Sequence, residues 1–198
     1  MTQTPATSTA PRSALGSFLI LRAVPAAALA AVITFSANHA SIVGAIAFMV
    51  FGFVMAPIFV LTAFASGFTG RVRAAYVVSA GAAIVSAAVM AILIAPISEA
   101  SAAESLRIFT LVVGIWAAVS GVSEILAGWF HPVRTEAREM LMLAGFTAVL
   151  AAVELLIPLN DVYAVGMLGA YGAIVAVFAA IAGFSLGFTA KKPQKGQS

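Results

Sequence analysis

Three ionisable residues stand deep within long apolar stretches of this sequence, Arg22, Glu124 and Glu154, and they are the first candidates for chemistry. A charged side chain at the centre of a hydrocarbon layer costs about 2.5 to 3.5 kcal/mol on insertion scales, so each position calls for a partner, a cavity or a route to the surface. At a helical rise of about 1.5 Å per residue, Arg22 lies about 11 Å and Glu124 about 9 Å from the same side of the apolar layer. Their similar depths predict an ion pair between them; the competing reading sends each side chain separately along its aliphatic stem to the near interface. Glu154 lies about 6 Å from the opposite side. An axial gap of roughly 15 Å from Glu124 excludes a shared-proton dyad and the carboxylate pair of a retaining glycosidase. Glu154 is left to snorkel outward, to pair with Arg107, or to stand protonated in a polar cavity as a proton-sensing group.

The other candidates divide in the same way. His39 and His131 fall in turns on opposite sides of the layer, so they cannot share a metal, and no metal site is expected. His39 is the candidate pH-responsive group, weighed against a plain solvated histidine. Pro25 and Pro57 fall at nearly equal depths, about 14 to 15 Å, in the first two apolar stretches. Each removes a backbone hydrogen bond, which marks the first hairpin as a candidate for helix kinks near the midplane. Cysteine is absent. With no phosphate-binding glycine loop, no His-Glu-x-x-His, no serine nucleophile elbow and only short connectors, neither an enzyme nor a cofactor is expected.

The elements that must position these groups follow from composition. Of 198 residues 63% are hydrophobic and 9% charged, with a mean hydropathy of +1.11. A soluble domain carries roughly 25% charged residues, so this chain lacks the polar surface to coat itself in water. Six apolar runs, at 15–37, 42–66, 74–97, 107–130, 140–158 and 163–188, are each long enough to cross a bilayer as a helix. The expectation is an all-α membrane protein of six transmembrane helices. A cytoplasmic tail at 1–14, expected to be disordered, precedes the bundle at 15–188, and a basic cytoplasmic tail at 189–198 follows it.

Charge sets the orientation. Nine of the ten basic residues (Arg12, Arg22, Arg71, Arg73, Arg134, Arg138, Lys191, Lys192 and Lys195) fall in or near one set of connectors, and Arg107 alone falls on the other side. The basic side is read as cytoplasmic, with both termini there, in a bacterial inner membrane. The net charge of +3 is thus a topology signal and not a nucleic-acid footprint. A competing reading of the first run as a signal peptide is opposed by Arg22 within it and by the repeat. Trp129, Phe130, Tyr76 and Tyr163 fall near span ends and are read as interfacial anchors.

The even-numbered runs repeat one spacing, an aromatic, a small residue five positions on and a second aromatic eight further: Phe51, Ala56, Phe64; Trp116, Gly121, Trp129; Tyr171, Ala176, Phe184. The odd runs pair small residues seven apart, Ala23 and Ala30, Gly81 and Ala88, Gly145 and Ala152. Three tandem hairpins of like orientation, roughly 15–66, 74–130 and 140–188, result. Stripes of small residues on the last run, Gly172, Ala176 and Ala180 with Ala179, Gly183 and Gly187, and Gly121 on the fourth, are expected helix-packing positions. The same stripes suit a homo-oligomer or another membrane-protein partner.

The segments 113–125 (Val-Gly-Ile-Trp-Ala-Ala-Val-Ser-Gly-Val-Ser-Glu-Ile) and 169–175 (Gly-Ala-Tyr-Gly-Ala-Ile-Val), with Leu21-Arg22-Ala23, resemble the HdeD-like acid-resistance membrane protein family. The resemblance covers nearly the whole chain. Ala23, Ala30, Ala56 and Ala176 stand where that family often has glycine. It implies a six-span repeat protein tied to acid or envelope stress, with no agreed molecular mechanism. The alternatives are a small transporter or channel with an intramembrane polar cavity, and an accessory subunit of a membrane complex.

Because the chain has no cysteine, its orientation can be read with one introduced thiol at a time. Ser101→Cys should react with a membrane-impermeant maleimide on intact cells, and Arg134→Cys only after permeabilisation. The reverse pattern would invert the topology.

Overall fold

The computed structural model describes residues 14–68, 70–157 and 160–189. The expected tails, with Arg12 and the three lysines, lie outside those residues. The described residues form six helices: α1 (Ala14–Phe35), α2 (Ser41–Ala65), α3 (Gly70–Glu99), α4 (Ala102–Trp129), α5 (Arg134–Leu156) and α6 (Asp161–Thr189). All six are long and apolar enough to cross a membrane. Several helices run past the apolar runs, α3 beginning at Gly70 and α5 at Arg134, because the backbone hydrogen-bond ladder continues into the polar boundary where charged side chains reach water. Pro25 and Pro57 sit inside continuous α1 and α2.

Local chemistry fixes the ends. At the α2–α3 turn, on the side that carries the basic connectors (inner, with the opposite side outer), Gly67 and Gly70 adopt φ of 72° and 54°, a left-handed conformation that other residues enter at a cost. At the outer side, the Ser101 hydroxyl caps α4 by accepting the Glu104 N–H at 3.4 Å, and the Asn160 side chain caps α6 by accepting the Tyr163 N–H at 3.0 Å. Asp161 accepts the Ser41 N–H at 3.1 Å and the Ser41 hydroxyl as well, which ties the outer ends of α2 and α6 together.

Packing does not follow the hairpins of the sequence. The most extensive contacts join α6 to α1, α2 to α3 and α4 to α5, so each even helix is paired with the odd helix that follows it around a closed ring. The even helices also touch one another, which places α2, α4 and α6 inside and the odd helices around them. Large apolar residues such as Val24, Ile92, Val122 and Ile181 remain on the outside. In a lipid solvent that surface is satisfied as it stands, so helix association must come from close packing and not from a hydrophobic drive.

Small residues supply that packing. A Cβ added at Gly172 would stand 2.9 Å from the Ala26 carbonyl oxygen and 3.2 Å from the Ala30 nitrogen, both backbone atoms of α1. At Gly121 the nearest atom would be the Ala148 nitrogen of α5 at 3.2 Å. Gly183 approaches the Gly16 oxygen in the same way, and Ala176 is buried. Gly187 departs from expectation: a Cβ there would meet open space. It stands near the inner end of α6 beside Gly16, whose own added Cβ would come within 3.5 Å of the Gly187 nitrogen, so the closeness is required of Gly16. Gly81 and Gly145 of the odd-helix pattern also face open space.

Gly172→Leu should therefore lower the stability of the detergent-solubilised protein by about 1 to 3 kcal/mol through overpacking. Gly145→Leu should leave it within about 0.5 kcal/mol, as at an ordinary surface position. Equal losses in thermal unfolding would contradict this packing.

Candidate functional site

The repeated aromatics explain themselves once the even helices are inside. The first aromatic of each copy faces the centre: the Trp116 ring meets Phe51 edge-on at 5.7 Å and Tyr171 edge-on at 6.0 Å, with Phe48 closing a third side at 5.2 Å. Edge-to-face geometry suits the ring quadrupoles and fills the axis of the bundle. The second aromatic of each copy, eight residues beyond the small residue, points into lipid; Phe64 and Phe184 are exposed, and Trp129 is 75% exposed. One sequence spacing thus serves two environments.

Toward the inner side of this cluster lies the ion pair. Arg22 Nη1 is 2.9 Å from Glu124 Oε1, and Nη2 donates a hydrogen bond to Oε2 at 3.3 Å, joining α1 to α4. Both residues are buried. The guanidinium lies over the Phe59 ring at 5.1 Å, so α2 covers its face. The phenols of Tyr76 and Tyr171 lie within electrostatic range of the guanidinium. The Tyr171 hydroxyl is 3.2 Å from Thr147 Oγ1, which donates to the Leu143 carbonyl at 3.1 Å; that leaves the threonine oxygen to accept from the tyrosine. With Thr62 of α2 buried beside Arg22 and Tyr76, all six helices contribute polar groups to the interior.

Tyr76 was expected at the interface and is instead 5% exposed, in the core. It stacks on Phe68 with centroids 5.6 Å apart and leans on Phe59 at 6.3 Å. Its place near the start of α3 gave the expected depth, and only tertiary packing reveals that it faces inward. Tyr163, Trp129 and Phe130 remain exposed at the helix ends.

His131 stands just past α4, with Nε2 3.2 Å from Glu136 Oε2 and the Val133 N–H donated to Nδ1 at 3.2 Å. Phe68 meets it edge-on at 5.3 Å, while Arg71 and Arg73 lie over the Phe130 and Phe64 rings at 4.6 and 5.3 Å. These contacts form a belt around the inner rim that sequence reasoning did not anticipate, since Phe68 and Arg71 at the α2–α3 turn meet His131 and Phe130 at the α4–α5 turn. His39, in the outer turn, is partly exposed and has no ion pair among the described residues.

Glu154 is buried near the outer end of α5, and neither carboxylate oxygen has a hydrogen-bond partner. Arg107 shares a wall with it but makes no ion pair with it among the described residues. Pro25 lines an apolar groove of about 440 Å³ between α1 and α2, whereas Pro57 is exposed on α2 away from it. No group of three or more potential metal-ligating side chains occurs among the described residues.

The six apolar spans and their lipid-facing surface define an integral, multi-pass membrane protein. No protein-family profile, curated protein or solved structure matches the chain.

Proposed function

We propose that this chain is a non-enzymatic inner-membrane protein of the HdeD-like type, acting in acid or envelope stress tolerance through a rigid bundle that organises its membrane surroundings. The observation that carries the reading is the filled axis. Where a transporter needs a polar path, Phe51, Trp116 and Tyr171 close the centre with their rings, and the charges below them neutralise each other. A bundle closed on its axis, with its central charges paired, suits a scaffold better than a conduit. The stress assignment draws on the motif resemblance around Trp116 and Tyr171 and on the three-fold spacing.

Two readouts test it together. A strain lacking the protein should grow more poorly than its parent as external pH falls, and the intact gene should restore growth. The purified protein in sealed liposomes should not accelerate the decay of a proton, potassium or chloride gradient. Unchanged growth across pH would remove the stress role, and gradient decay beyond that of empty vesicles would replace the scaffold with a channel or transporter.

A further inference from the structure

Glu154 is the one buried carboxylate that makes no ion pair among the described residues. It is 4% exposed, its two oxygens lack partners, and it lines a notch of about 410 Å³ between the outer ends of α4 and α5. A buried acid of this kind is costly unless something donates to it. Besides the Thr110 hydroxyl, which donates to the Arg107 carbonyl, the rest of the notch is of two kinds. Leu106, Leu111, Leu155 and Ile157 make an apolar wall, while the exposed Arg107 places a cation on the same wall as the acid.

Depth narrows the occupant. Glu154 is two residues from the end of α5 and Arg107 five residues from the start of α4, so both lie within about 8 Å of the outer helix ends, at the boundary where lipid headgroups meet acyl chains. A ligand complementary to the notch carries an ammonium with N–H donors for Glu154, an anion for Arg107 and hydrocarbon for the leucines. We infer that the notch binds an aminophospholipid of the outer leaflet, with its primary ammonium on Glu154, its phosphate on Arg107 and one acyl chain along Leu111 and Leu155. Both Glu154 oxygens are buried in this structure, so binding involves rotation of that side chain into the notch. A quaternary ammonium headgroup has no N–H to donate, and a phosphoglycerol headgroup has no cation. The notch therefore discriminates by headgroup and not by charge alone.

The test is lipid retention by the purified full chain, read by native mass spectrometry after exchange into equimolar phosphatidylethanolamine, phosphatidylcholine and phosphatidylglycerol with matched acyl chains. A charge-assisted hydrogen bond of ordinary strength gives phosphatidylethanolamine about a tenfold advantage over phosphatidylcholine. Glu154→Gln should bring that ratio close to one. Arg107→Gln, at an exposed position that the fold tolerates, should weaken retention of both zwitterionic lipids alike and keeps the test decisive if Glu154→Gln does not accumulate. Equal retention of the three lipids by the unaltered protein, or an ethanolamine preference that survives Glu154→Gln, would overturn the assignment. Displacement of the lipid by soluble glycerophosphoethanolamine at comparable concentration would overturn the lipid as the source and make the notch a site for a free zwitterion.

Discussion

A guanidinium and a carboxylate cannot be left alone in hydrocarbon, and the pairing of Arg22 with Glu124 is the constraint around which the inner half of this bundle is arranged. The pair bridges α1 and α4, whose backbones do not pack extensively on each other, while the Phe59 ring of α2 lies over the guanidinium and the phenols of α3 and α6 stand within electrostatic reach. A buried pair of this kind adds little net stability over apolar residues of similar volume. Its consequence is specificity, because an arrangement that separates α1 from α4 would leave both charges uncompensated in lipid. That is the sense in which two polar residues can determine the order of helices whose surfaces are otherwise nearly all Ala, Val, Leu and Gly.

Above the pair the bundle is held by shape. The three even helices bring Phe51, Trp116 and Tyr171 together on the axis, and each turns small residues toward the odd helix that follows it. The ring closes by packing α6 against α1, the first and last helices of the described chain. The three sequence copies are therefore not three independent hairpins. Each copy lends its odd helix to the preceding even helix, so no hairpin buries its packing surface alone, as expected of repeat architectures.

How much of this was legible in the sequence depends on whether the signal was depth or direction. Depth is a count along a helix, and it sufficed to match Arg22 with Glu124 and to set Glu154 apart from both. The recurrence of aromatic, small and aromatic residues exposed the three-fold repeat, since three identical spacings are hard to produce by chance. Direction around a helix was harder. In a span that is apolar on all sides no polar face marks the outside, so the sequence could not show that Tyr76 turns inward while Trp129 turns outward, or that Gly187 and Gly145 meet open space whereas Gly172 and Gly121 meet backbone. The pairing of α6 with α1 was also hidden, because nothing in either helix alone names its neighbour.

The most direct measurement is a double-mutant cycle on the ion pair, read as thermal unfolding of the protein in lipid nanodiscs. Arg22→Met and Glu124→Leu should each cost about 3 to 5 kcal/mol, because each strands the other charge in the core. The double variant should recover most of that loss, the remaining residues being apolar and of similar volume. Losses that simply add, or single variants as stable as the parent, would mean that the two charges do not depend on each other and would remove the organising role given to them here.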